Sequence, residues 1–297
     1  MPDSLLATHQ LTRSFGAHRA VDALSLQVNA GEIVGFIGGN GAGKTTTMRM
    51  IMGVLSPSGG DITWRGAPAT EQVRRRFGYM PEERGLYPKQ PVLSQLIYFG
   101  RLQGLDGRQA RTAAGQLLER FGLTCRAGDK VESLSLGNQQ RVQIAAAVIA
   151  KPELLILDEP FSGLDPAAID SMTSLLREHA ARGVGVLFSS HQLELVQSVC
   201  DRLIVLARGR IVADGTPAEL QRRGRTRYKL SVGAPLDWLD SSSRVQVCAL
   251  EGHSAILTLS DARDADALLR EALRHGPVYE LSEVVPSLAE IYREVAA

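Results

Sequence analysis

Residues Gly38-Gly39-Asn40-Gly41-Ala42-Gly43-Lys44-Thr45 narrow the folds open to this chain more than any other stretch. They fit G-x-x-x-x-G-K-[ST], a pattern that carries meaning only between a buried strand and a helix. Both flanks are present. Residues 33–37 (Ile-Val-Gly-Phe-Ile) form a short apolar run of buried-strand type, and residues 46–52 read as a helix. Glycines let the backbone wrap closely around a phosphate chain, with N–H groups converging on the anion at a helix N-terminus. In that reading Lys44 faces the β- and γ-phosphates of a nucleoside triphosphate, the Thr45 hydroxyl holds Mg²⁺, and Thr46 reaches the α-phosphate side. An ordinary glycine-rich turn is the competing reading, and the residues downstream decide between them.

A chain of 297 residues has room for one large or two ordinary domains. Hydrophobic residues make up 44% and charged residues 22%, the balance expected of a soluble globular protein. A net charge of +1 leaves no electrostatic footprint for nucleic acid. Arg74-Arg75-Arg76 and the basic stretch at 222–227 read as solvated faces or linkers. Cys125, Cys200 and Cys248 lie far apart without C-x-x-C spacing, which suggests reduced thiols in a cytoplasmic protein. The N-terminus lacks a basic region followed by a signal-type apolar core. No apolar run approaches the ~18–20 residues of a membrane span. Service to a membrane is therefore expected to run through another chain.

Residues 4–30 alternate apolar and polar, with Gly16-Ala17 a turn between strands at 11–15 and 20–28. Phe15 stands ahead of the phosphate loop; by default an aromatic in a strand belongs to the core. Residues 56–60 form a turn cluster and 61–64 a short strand. The segment 81–88 holds too many turn residues for a regular element and is expected to join two lobes. From 92 to about 122 the pattern is helical. Ser135 and Gly137 stand at the start of a further helix through Val142 and Ile149, where a hydroxyl and free N–H groups suit a phosphate. Taken alone, plain N-capping is the better reading of both.

Four apolar residues, Leu154-Leu155-Ile156-Leu157, then run into Asp158-Glu159. The run is a parallel-type buried strand, and its end places both acids at the carboxyl edge of a sheet, where ligands bind in open α/β folds. Asp158 can hold Mg²⁺, and Glu159 can accept a proton from an attacking water. Residues 161–166 make a turn before a helix at 167–180. A strand at 184–188 ends in Ser189-Ser190-His191, whose histidine can bond the γ-phosphate or simply stand at the surface. Residues 203–207 and 210–213 form a hairpin, and 217–221 begin a short helix.

In combination these residues resemble the ATP-binding subunits of ABC transporters over about 4–221. The phosphate loop, Leu134-Ser135-Leu136-Gly137-Asn138, the Asp158-Glu159 strand, Ser162-Gly163-Leu164-Asp165 and His191 follow the family's order and approximate spacing. The second corresponds to the ABC signature. The resemblance implies an α/β fold: a phosphate-loop, RecA-like core with an antiparallel β subdomain and a helical signature subdomain. It implies ATP and Mg²⁺ as cofactors, with Lys44, Glu159 and His191 catalytic. Phe15 becomes an adenine platform, and Asp165 joins the nucleotide site. It also implies a head-to-tail dimer with a second copy or a paralogous ATPase, in which Ser135 and Gly137 of one chain meet the other's ATP. A transmembrane permease is the implied partner, seated near the Glu82 loop, so the chain would lie on the inner face of the cell membrane.

Leu136 and Asn138 depart from the usual signature glycine and glutamine. Glu82 stands where the family usually has glutamine, and a carboxylate accepts hydrogen bonds without donating them. Ligation of Mg²⁺ through Glu82 fits that chemistry, whereas donation to the attacking water does not. Residues 222–297 read as a small α+β domain, with strands at 228–232, 245–250, 255–259 and 278–281 and helices at 261–274 and 286–295. Its ending, 285–292, resembles the C-terminal domain of export-type ABC ATPases, including sodium- and drug-efflux systems, and implies a role in regulation or dimer stability. Two rivals differ in class. A soluble ABC ATPase of nucleic acid or ribosomes would call for a different charge balance, zinc cysteines or a coiled-coil insertion. A weakly hydrolysing ATP-gated module would have no use for Glu159 and His191.

Overall fold

A computed structural model describes residues 4–83, 85–223, 227–241, 245–259, 264–284 and 290. Two compact units divide between Gly215 and Thr216. The first opens with β1 (Ser4–Phe15), β2 (His18–Leu24), β3 (Gln27–Asn29) and β4 (Ile33–Gly38). Then come α1 (Lys44–Ile51), β5 (Gly59–Trp64), β6 (Ala67–Pro68), α2 (Glu71–Arg74) and β7 (Phe77–Met80). Three helices follow: α3 (Val92–Leu102), α4 (Gly107–Arg120) and α5 (Leu136–Val148). The unit closes with β8 (Leu154–Leu157), α6 (Pro166–Ala181), β9 (Gly185–Ser190), α7 (Leu193–Val199), β10 (Arg202–Ala207) and β11 (Arg210–Gly215).

Strands β4, β8 and β9 are buried at every position, as expected of parallel strands covered on both faces. They form a sheet of order β11-β10-β4-β9-β8-β7, parallel throughout except at β11. A second, antiparallel sheet has the order β2-β1-β5-β6, with β3 also paired to β1. The two sheets share one apolar core, in which Trp64 of β5 meets Phe77 of β7 with ring centroids 4.8 Å apart. Arg202 on β10 adds a polar clasp: its guanidinium donates to Glu32 at 2.7 Å, to Asp214 at 2.7 Å and to the carbonyl of Gln27.

Three sequence-based boundaries change. The strand expected over 20–28 is two strands, because β1 changes partner along its length: its far half pairs with β2 and its start with β3. The Thr8 hydroxyl bridges the break, donating to Leu24 O and accepting from Leu26 N. The helical run at 92–122 is also two helices. Gly104, at φ 96°, takes the chain out of α3, and Asp106 with Gln109 forms a capping box that starts α4. Finally, residues 77–80 add β7 as an edge strand of the parallel sheet.

The second unit begins with α8 (Pro217–Arg223), which a Thr216–Glu219 capping pair opens. It continues with β12 (Arg227–Val232), β13 (Val245–Glu251), β14 (Ser254–Leu259), α9 (Asp264–His275) and β15 (Val278–Val284). Its sheet is antiparallel in the order β13-β14-β12-β15, and Leu230, Val232, Leu257, Leu268 and Ala272 form its core. Residues 261–263 of the expected helix, and the helix expected at 286–295 apart from Glu290, lie outside the described residues.

Candidate nucleotide site

The phosphate loop leaves the end of β4 and enters α1 at Lys44. Gly43 caps that helix at φ 105°, and a Cβ there would stand 2.6 Å from Ala20 O, so both conformation and space require glycine. A Cβ on Gly38 would lie 2.8 Å from Leu206 O. The loop is braced from the β10–β11 turn, where Gly209 N donates to Ala42 O at 3.0 Å. Lys44 is only 8% exposed, and its ammonium donates to the loop's own carbonyls, Gly38 O at 2.7 Å and Gly39 O at 3.3 Å. Those bonds hold a buried cation at the position where an anionic ligand would claim it.

A cavity of about 470 Å³ opens over the loop. Gly39, Asn40, Gly41, Ala42, Gly43, Lys44, Thr45 and Thr46 line it, together with Phe15, Glu82, Asp158 and Glu159. Strand β8 delivers the two acids. Asp158 is 1% exposed; its Oδ1 accepts from Ser189 Oγ at 2.5 Å, while Oδ2 is buried without a partner. A buried carboxylate oxygen left unpaired is costly, and a hard cation is a suitable occupant for its lone pairs. No group of three or more His, Cys, Asp or Glu residues among those described could hold a metal alone. Mg²⁺ usually takes one or two carboxylates and completes its shell with waters and substrate phosphates. Thr45, Thr46, Glu82, Asp158 and Glu159 are the side chains with hydroxyl or carboxylate oxygens that line the cavity.

Glu159 adopts φ 52°, a left-handed conformation uncommon for a residue with a side chain. Three contacts hold it there. Its N–H donates to Ser189 Oγ at 2.8 Å, Gln140 Nε2 donates to its carbonyl at 3.0 Å, and its Oε2 lies 2.9 Å from His191 Nδ1. Facing a carboxylate, Nδ1 is the protonated nitrogen, which leaves Nε2 as the acceptor in the neutral ring. Glu159 and His191 also line a neighbouring cavity of about 530 Å³ with Asn40, Glu82, Leu136, Gln140, Ser162 and Gly163.

Other sequence candidates stand apart from the phosphate-loop cavity. Ser135 caps α5, accepting from Asn138 N at 3.4 Å, and Gly137 lies in that helix's first turn. Asp165 caps α6, accepting from Ala168 N at 2.7 Å, and pairs with Arg141 at 3.7 Å. None of the three lines that cavity. Sequence reasoning gave Ser189 no role, yet its hydroxyl ties Asp158 to the backbone of Glu159. Two serines ending an apolar strand were the available signal, since a hydroxyl buried there needs a partner.

Comparison with known proteins agrees with this geometry. The family described as ABC transporter matches residues 21–162, and the C-terminal domain of DrrA1-3-like ATP-binding proteins matches 215–296. The uncharacterized ABC transporter ATP-binding protein YhaQ of Bacillus subtilis (strain 168) is 46% identical over 218 residues, 73% of each chain. The Nod factor export ATP-binding protein I of Paraburkholderia xenovorans (strain LB400) is 38% identical over 223 residues, 74% of this chain and 73% of that one. Among solved structures, an ATP-binding subunit of an ABC transporter superposes with a TM-score of 0.69 at 34% identity, covering 74% of this chain and 93% of the other. The chain therefore belongs to the ABC transporter ATP-binding proteins. It is an ATPase of membrane transport, with ATP and Mg²⁺ as its cofactors.

The Ser189 bridge makes a direct prediction. Ser189→Ala deprives Asp158 of its hydrogen bond and the Glu159 N–H of its acceptor. Loss of a buried hydrogen bond to a charged group costs about 1.5–3 kcal/mol. A lowered Tm and a lowered Mg²⁺-ATPase rate are expected together, by thermal melting and phosphate release. Wild-type values in both assays would remove the bridge from the site.

Proposed function

We propose that this ATPase drives export through a separate transmembrane permease, and that it acts as a head-to-tail dimer with a second copy or a paralogous ATPase. Support for export comes from the similarity to a Nod factor export protein. Among the described residues no helix is long and apolar enough to cross a membrane, so attachment to one would run through the permease. The catalytic reading rests on the shared edge where the phosphate loop, the orphaned Asp158 Oδ2 and the Glu159–His191 pair meet.

In this reading Lys44 turns from its loop carbonyls to the β- and γ-phosphate oxygens, and the first amides of α1 face the same charge. Phe15 takes the adenine ring. Thr45 and Asp158, with Glu82 beside them, would hold Mg²⁺, which would supply counter-charge to the phosphate chain. Glu159 accepts the proton of a water as that water attacks the γ-phosphorus and the bond to the β–γ bridging oxygen breaks, giving ADP and phosphate. His191 donates from Nδ1 to Glu159, which orients the carboxylate and leaves Nε2 to accept from the attacking water. Ser135 and Gly137, outside their own chain's phosphate-loop cavity, contribute across the dimer, and Asp165 belongs to the nucleotide site. Residues 222–297, the proposed C-terminal domain, stabilise or regulate it.

Glu159→Gln keeps the shape and removes the base. It should retain ATP binding, lower turnover by about 10²–10⁴-fold and leave a dimer that persists with ATP. ATPase rate and size-exclusion chromatography with ATP read this out, and the same assay on a chain ended at Gly215 measures what the second unit adds. Full activity in the variant would place the base elsewhere.

Glu82→Gln removes a negative charge near the cation while its amide oxygen can still ligate. A higher Mg²⁺ midpoint is expected, with activity recovered at high Mg²⁺, when ATPase rate is titrated against free Mg²⁺ with the permease present. An unchanged midpoint would discard the metal role and leave contact with the permease as the function of Glu82.

A further inference from the structure

The end of β1 places a cation against the aromatic that lines the nucleotide cavity. Phe15 is 48% exposed and forms part of the cavity wall. Arg13 does not line that cavity, yet its guanidinium carbon lies 4.7 Å from the centre of the Phe15 ring. The β1–β2 pairing is irregular on both sides of Arg13, between Leu11 and Arg13 and between Arg13 and Ser14. Such irregularities re-aim side chains, and they recur beside active sites.

The guanidinium is itself anchored. Arg13 Nη1 donates to Ser56 O at 2.8 Å. The turn that carries Ser56 is stitched to β1 on either side of Arg13: Ser58 N donates to Thr12 O at 2.7 Å, and Ser14 N donates to Ser58 Oγ at 3.2 Å. Arg13 Nε is buried without a hydrogen-bond partner, so the face of the ring supplies part of this cation's stabilisation. An aromatic side chain free at a strand end would sample several rotamers and lose that freedom when a ligand arrives. With Arg13 against the ring, part of that ordering precedes binding, and Arg13 itself stays outside the cavity that Phe15 lines. A cation on one face also draws π-density from the ring, which favours stacking of an electron-rich purine on the other.

We propose that Arg13 is a positioning residue for the nucleobase, holding the Phe15 ring in the pose that receives adenine. The proposal rests on the reading of Phe15 as the base platform, and the test separates the two. ATP and inorganic tripolyphosphate, which lacks a base, are titrated calorimetrically with Mg²⁺ into full-length chains carrying Glu159→Gln to prevent turnover. Arg13→Leu, Arg13→Lys, Phe15→Ala and the double variant Arg13→Leu/Phe15→Ala are compared with the parent. Arg13→Leu should weaken ATP about two- to fivefold, the range of a partly exposed cation–π contact, and leave tripolyphosphate unchanged. Arg13→Lys, with the charge but no flat guanidinium, should fall between. Phe15→Ala should weaken ATP alone, and adding Arg13→Leu to it should cost nothing more. Parent-like ATP affinity in Arg13→Leu, with Phe15→Ala weakened, overturns the role of Arg13 while the platform stands. Loss of tripolyphosphate binding in Arg13→Leu, or additive losses in the double variant, overturns it too by showing a purely structural or independent contribution. Parent-like ATP affinity in Phe15→Ala overturns the platform reading and the proposal with it.

Discussion

Parallel pairing of β4, β9 and β8 is the constraint on which the rest of the site depends. Ile37 pairs with Ser190, and Phe188 with Leu157, so three adjacent strands end at one edge. The phosphate loop follows the first, His191 the second, and Asp158-Glu159 the third. Each strand is buried along its whole length, as parallel strands covered on both faces are, so the pairing stands on the apolar core rather than on a ligand. A one-residue slip would turn both apolar faces over and separate the loop from the acids.

That edge carries local conflicts which the apolar sheet sustains. Lys44 is buried against carbonyls of its own loop, Asp158 keeps one oxygen unpaired, and Glu159 holds a left-handed backbone. Each is unfavourable by itself, and each is relieved or used when a phosphate chain and its cation enter. Ser189 joins two of the three by sharing one hydroxyl between the Asp158 carboxylate and the Glu159 amide. The two acids are thus arranged before the nucleotide arrives, while Lys44 still has to turn from its loop carbonyls.

Much of this was legible in the sequence because its signals are local. Glycine spacing and Lys44-Thr45 mark the loop, and an apolar run ending in Asp158-Glu159 marks an acidic strand end. What the sequence left unread depends on distant partners. The exchange of partners by β1, which splits the strand at 20–28, is set by pairing with both β2 and β3. The edge strand β7 exists because Leu154–Leu157 lies beside it. Ser189 acquires its importance from residues thirty positions away. Within one chain Ser135 caps α5 and Gly137 lies in its first turn, so a role for them depends on the signature pattern 134–138 and on a second chain.

In the dimer proposed above, each ATP is held by the phosphate loop of one chain and the signature residues of another. Mixing two disabled forms tests it. Lys44→Ala spoils the loop, Ser135→Arg spoils the signature, and each alone should be inactive. In a head-to-tail dimer of one of each, one site has both defects and the other has none. An equimolar mixture, half of it mixed dimers, should recover about a quarter of wild-type ATPase activity if the sites act independently. A mixture as inactive as its components, with mixed dimers shown to form, would contradict the shared site.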